Sequence, residues 1–102
     1  MGYNCPPMEI RKTDVFVKWL DKLRDVQARA RVLARIERLA AGNSGDVKPV
    51  GGGISELRID YGPGYRVYFT QRGRTLVILL VGGSKSTQVK DIKSARQLAE
   101  HL

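Results

Sequence analysis

Two arginines, a lysine and a tyrosine carry most of the chemistry this chain offers. On a strand period of two, Glu56, Arg58 and Asp60 share one face of a segment, and Arg66, Tyr68 and Thr70 share the polar face of the next. The turn Gly62-Pro63-Gly64 between them brings Arg58 and Arg66 to one side. Lys85 follows Gly82-Gly83, where backbone can approach a ligand closely. Two guanidiniums as planar bidentate donors and one ammonium as a point charge make a phosphate site. The same spacing also permits a solvated ladder in which Arg58 or Arg66 pairs with Glu56 or Asp60, worth ~0.2–1 kcal/mol. Both readings stand on the spacing alone. Tyr61 and Tyr65 fall in with the apolar set, whereas Tyr68 points the other way and is the tyrosine best placed to meet a substrate.

Other familiar chemistries lack their parts. His101 is the sole histidine and lies beside the last residue, a poor foundation for a Ser-His-Asp or Cys-His arrangement. No H-E-x-x-H, Walker A or EF-hand pattern occurs. Gly51-Gly52-Gly53 is read as a flexible loop leading into a strand that begins near Ile54, in preference to a phosphate cradle. Cys5 is the only cysteine, which excludes an internal disulfide and a cysteine zinc cage. Acids alternate with bases and do not cluster, so neither a metal nor another cofactor is expected.

The 102 residues carry 18 Lys and Arg against 10 Asp and Glu, a net charge of +8. Such an excess concentrates polyanions around the protein and makes their binding salt-dependent. Nucleic acid, the ribosome, an acidic protein and a membrane surface all qualify as partners on charge alone. A chain of this length buries ~65% of its unfolded surface, enough for one core but not for a second. With 42% apolar residues, one compact domain is expected. The longest apolar run is Leu76 to Val81, far short of a membrane span, and no secretory leader is evident. A soluble, intracellular domain is therefore expected.

The elements that must position these residues can be read from periodicity. Met1 to Pro7 reads as a flexible arm and residues 8–102 as the domain. Met8 to Lys12 alternates as a short strand. Thr13 and Asp14 then offer an N-cap for a helix with Phe16, Trp19, Leu20 and Leu23 on one face. Asp25 can cap a second helix, with Ala28, Val32, Ile36 and Leu39 inward and a stripe of Arg31, Arg35 and Arg38 on another face. A packed helix hairpin is the simplest consequence. Leu57 to Tyr61, Tyr65 to Thr70 and the apolar run Thr75 to Val81 make an antiparallel meander, stopped by Gly82-Gly83, with the first strand beside the last. Val89, Ile92, Ala95, Ala99 and Leu102 mark a closing helix. The expected class is α+β, in the order β-α-α-β-β-β-α.

That order, the string Glu56-Leu57-Arg58-Ile59-Asp60-Tyr61-Gly62-Pro63-Gly64-Tyr65-Arg66-Val67-Tyr68-Phe69 and the segment Leu79 to Gln88 with Asp91, Ile92 and Ala95 together resemble the RelE/ParE toxin superfamily. The similarity is greatest to the HigB-like branch of addiction module killer proteins and covers Met8 to Leu102. Many RelE-like proteins cleave mRNA on the ribosome without a metal. The resemblance therefore implies a bacterial, cytoplasmic type II toxin, an mRNA endonuclease silenced by a cognate helix-turn-helix antitoxin, with operator DNA met only through the antitoxin complex. By the same resemblance Arg66 stabilises charge at phosphorus, while Arg58 and Lys85 match basic positions of the site. Arg31, Arg35, Arg38, Lys48 and Lys90 become candidates for RNA or ribosome contact. Family members often carry Asp where Ser84 stands, and a tyrosine or histidine near the start of the last helix, where this chain has Val89-Lys90-Asp91-Ile92. Glu56, Tyr68, Asp91 or a lysine are left as candidate bases. A ParE-like inhibitor of DNA gyrase, or a module that binds nucleic acid or antitoxin without catalysis, fits the same fold.

Overall fold

A computed structural model describes residues 8–102; the N-terminal arm and Cys5 lie outside them. The elements are β1 (Glu9–Lys12), α1 (Asp14–Lys22), α2 (Val26–Ala40), β2 (Val47–Gly51), β3 (Ile54–Ile59), β4 (Tyr65–Arg72), β5 (Leu76–Ser84), a 3₁₀ turn (Lys85–Thr87) and α3 (Gln88–Glu100). The class is α+β, with a five-stranded mixed sheet in the order β1-β5-β4-β3-β2. β1 runs parallel to β5, and the other pairs are antiparallel.

One strand more is present than periodicity suggests. β2 contains Pro49, which removes a ladder donor, and it therefore occupies the sheet edge. The glycines beyond it form a tight β2–β3 hairpin turn in place of a flexible loop. Gly82 and Gly83 do not stop the sheet either; they lie inside β5.

Helix starts follow the capping chemistry. Thr13 accepts from the Phe16 amide at 3.1 Å, and Asp25 accepts from the Gln27 and Ala28 amides at 2.9 and 3.2 Å. The helices pack chiefly on the sheet, α1 against β5 and α2 against β3, and less on each other. The hairpin seam expected from sequence is thus replaced by a shared core: Phe16, Leu20, Val32 and Ile36 meet Leu57, Val67 and Leu79. Burying each such side chain contributes ~1.5–3 kcal/mol. α3 covers the opposite face, where Ala95 packs with Ile54, Tyr68 and Leu80. Of the apolar residues expected inside α3, Val89 and Leu102 instead face solvent.

Candidate functional site

Strand register does the positioning. Arg58 and Arg66 are direct cross-strand partners, as are Glu56 and Tyr68, and β2 sets Lys48 opposite Glu56. All belong to the α3 side of the sheet, because Leu57, Ile59, Val67 and Phe69 take the other side. The β3–β4 turn returns through Gly64, at φ 77°. The Gly64 carbonyl accepts from the Lys85 amide at 2.8 Å and from Arg66 Nη1 at 3.3 Å. Arg58, Arg66 and Lys85 thereby line one cleft of about 300 Å³, together with Asp46, Asp60 and Gly64.

Each arginine already holds a carboxylate. Arg58 donates from Nε and Nη2 to Asp46 Oδ1 at 3.1 and 2.9 Å. That hydrogen bond, with the surrounding arginine charges, holds the Asp46 carboxyl below the usual range. Arg66 Nε lies 3.4 Å from Glu56 Oε1, an ion pair without a hydrogen bond, in which the Glu56 side chain is only 1% exposed. Gln88 Nε2 donates to the other Glu56 oxygen at 2.7 Å. Behind this pair the phenol of Tyr68 is fully buried and has no hydrogen-bond partner. Burial pushes its pKa up, the charges of Glu56 and Asp91 add to the shift, and Arg66 opposes it. Asp91 is buried too, accepts from the Thr87 hydroxyl, and sits so close to Gly83 that a Cβ there would overlap its carboxylate.

The residues expected at the site therefore divide by depth. Arg58, Arg66 and Lys85 converge on the cleft. Glu56, Tyr68 and Asp91 form an interior polar cluster beneath α3, and the expectation that Tyr68 meets a substrate directly is corrected by that cover. The arginine stripe separates as well. Arg35 donates to the carbonyls of Arg58, Ser44 and Asp46, so it braces the backbone leading into β2 and is not free for RNA. Arg31 lies over the Tyr61 ring at 4.8 Å, while Arg38, Lys48 and Lys90 are exposed. Asp46 and Gln88 were not legible as site residues. Asp46 faces Arg58 only once β2 is paired with β3, and the Arg58 amide donates to its carbonyl at 3.0 Å. Among the described residues, no three His, Cys, Asp or Glu side chains are grouped as a metal site.

The chain belongs to the family described as phage derived protein Gp49-like (DUF891), whose model matches residues 18–102. This is a toxin-like family related to addiction modules. The chain is also similar to an uncharacterized protein of Haemophilus influenzae, 55% identical over 95 residues that span 93% of this chain and 96% of the relative. Among the described residues no helix is long and apolar enough to cross a membrane.

Proposed function

We propose that this protein is the toxin of a type II toxin–antitoxin module and cuts mRNA on the ribosome. The supporting observation is the cross-strand pair Arg58 and Arg66 with Lys85 at one cleft, three cations on a scale that suits one phosphate and its neighbours. In the reaction, the 2′-oxygen of a nucleotide forms a bond to the adjacent phosphorus while the bond from phosphorus to the leaving 5′-oxygen breaks. One proton leaves the 2′-hydroxyl and one reaches the 5′-oxygen. Arg66, held from behind by Glu56, presents its Nη groups to the charge that develops on the phosphoryl oxygens. Arg58 and Lys85 bind the flanking phosphates. Because Glu56, Tyr68 and Asp91 are buried, groups of the ribosome take the 2′-hydroxyl proton and supply the one that reaches the 5′-oxygen, which makes cleavage ribosome-dependent. A cognate helix-turn-helix antitoxin neutralises the protein, and operator DNA is met through that complex.

A second reading, inhibition of DNA gyrase or binding without chemistry, draws on the carboxylates that engage both arginines. Primer extension on a defined mRNA, with and without programmed ribosomes, separates the two. Cuts within the ribosome-bound codon, reduced at least about 100-fold by Arg66→Ala, are the expected result. Intact mRNA with folded, antitoxin-free protein overturns the nuclease reading, and a parallel supercoiling assay then reports on gyrase.

A further inference from the structure

Lys85 lines two concavities. One is the arginine cleft; the other is a groove of about 490 Å³ along the start of α3, formed with Ser86, Gln88, Val89, Lys90 and Lys93. All three lysines are exposed and none takes part in an ion pair among the described residues. Asp91, on the same helix, is turned inward to Thr87, and Glu56, which meets the helix start through Gln88, is buried, so neither neutralises them at the surface. Lys90 and Lys93, three residues apart on one helix, are neighbours on its surface, with Cβ atoms ~5–6 Å apart. The groove therefore continues the cleft with unopposed positive charge.

Its composition discriminates among polyanions. Protein interfaces are depleted of lysine and built around aromatic or apolar anchors, and the only large apolar side chain here is Val89, 85% exposed. Base stacking needs aromatic rings or guanidinium planes, and none lines the groove, while the amide nitrogen of Gln88 is already bonded to Glu56. Point charges beside hydroxyl and amide groups suit a sugar-phosphate backbone.

We propose that the Lys85–Lys90–Lys93 groove binds the backbone of single-stranded RNA as it leaves the arginine cleft, without regard to base sequence. This rests on the RNA-directed reading above and extends it beyond the cleft along the start of α3, with Lys85 shared between the two. The test is fluorescence anisotropy with a labelled 12-nucleotide 2′-O-methyl RNA, which the 2′-oxygen mechanism cannot cut. Binding is therefore read independently of cleavage. The expected result is that Lys90→Ala with Lys93→Ala weakens binding about tenfold and lowers the slope of log K against log salt by about 1.4, the value for two lost phosphate contacts on a single strand. The control, Lys18→Ala with Lys22→Ala on α1, removes the same charge across the sheet and leaves binding within about twofold. Equal losses in the two pairs mean that net charge alone acts, and overturn the proposal. So does an unchanged Lys90/Lys93 variant, or a wild-type protein that binds a poly-glutamate peptide but not the RNA. Should the RNA bind as expected while ribosome-bound mRNA stays intact, the groove stands and the nuclease reading fails.

Discussion

Tyr68 is the residue whose environment departs furthest from its ordinary chemistry. Its hydroxyl is buried without a partner between two carboxylates, so the neutral phenol is strongly preferred in the fold. The sign of the consequence follows from linkage. The unfolded chain releases this proton near pH 10, whereas the folded chain retains it, so the contribution is fully present below pH 10 and is lost as pH rises above that value. Tyr68→Phe keeps the ring and removes only the unpartnered hydroxyl. Its stability at neutral pH is expected to match wild type within ~1 kcal/mol, with a shallower decline above pH 10, read by urea unfolding across pH. A loss above ~2 kcal/mol at neutral pH would show that the hydroxyl is bonded in the fold. Arg66 and Glu56 illustrate a different residue-scale point. Their pairing is one of the two arrangements that strand spacing left open, and the structure combines it with the cleft: Glu56 takes the inner side of the guanidinium, and Arg66 still lines the cleft.

Among the elements, β5 is where the layers are tied together. Its register against β4 skips at Leu80, since Tyr68 pairs with Val81 and Phe69 with Leu79. This bulge places Leu80 and Val81 together on the α3 side. The carbonyl of Leu80 accepts from the Thr13 hydroxyl at 2.6 Å, and the same oxygen of Thr13 caps α1. One side chain thus serves the bulge and the helix start. Thr13→Val, nearly isosteric, is expected to cost ~1–3 kcal/mol in urea unfolding, whereas Thr13→Ser retains most of the stability. Equal stability of the valine variant would show that neither bond contributes. The glycines that follow explain why β5 was expected to end sooner. Periodicity treats Gly82-Gly83 as a breaker, yet a Cβ on Gly82 would overlap the Trp19 ring and one on Gly83 the Asp91 carboxylate. Both are glycine because two layers close onto the strand there. Similarly, β2 has no strand signature of its own because its five residues include Pro49 and Gly51, and its pairing with β3 is a contact that no local pattern expresses.

For the whole molecule, charge is the dominant property. A surplus of +8 lies on a frame whose most buried acids, Glu56 and Asp91, are turned inward. Under the proposed function, the cognate antitoxin is expected to be acidic where it docks, so that the field steers their encounter. The association rate of the pair, followed by stopped flow, is expected to fall severalfold or more between low and physiological salt, with a smaller change in dissociation. A salt-independent association rate would refute that expectation.

The amino-acid sequence by itself determined the local order: caps at Thr13 and Asp25, the inward faces of α1 and α2, and the alternation that sends Arg58 and Arg66 to the same side as Glu56 and Tyr68. These follow from periods of 3.6 and 2, which neighbouring residues express without help from the rest of the chain. Only the tertiary structure decided depth. Whether a polar side chain on a strand face meets solvent depends on what lies above it, and α3, which follows both strands in the chain, covers Glu56 and Tyr68 while leaving Lys85 beside Arg58 and Arg66 at the cleft. It also decided pairing across distance, Asp46 with Arg58 and Gln88 with Glu56, because those contacts exist only after the sheet and its helices have assembled.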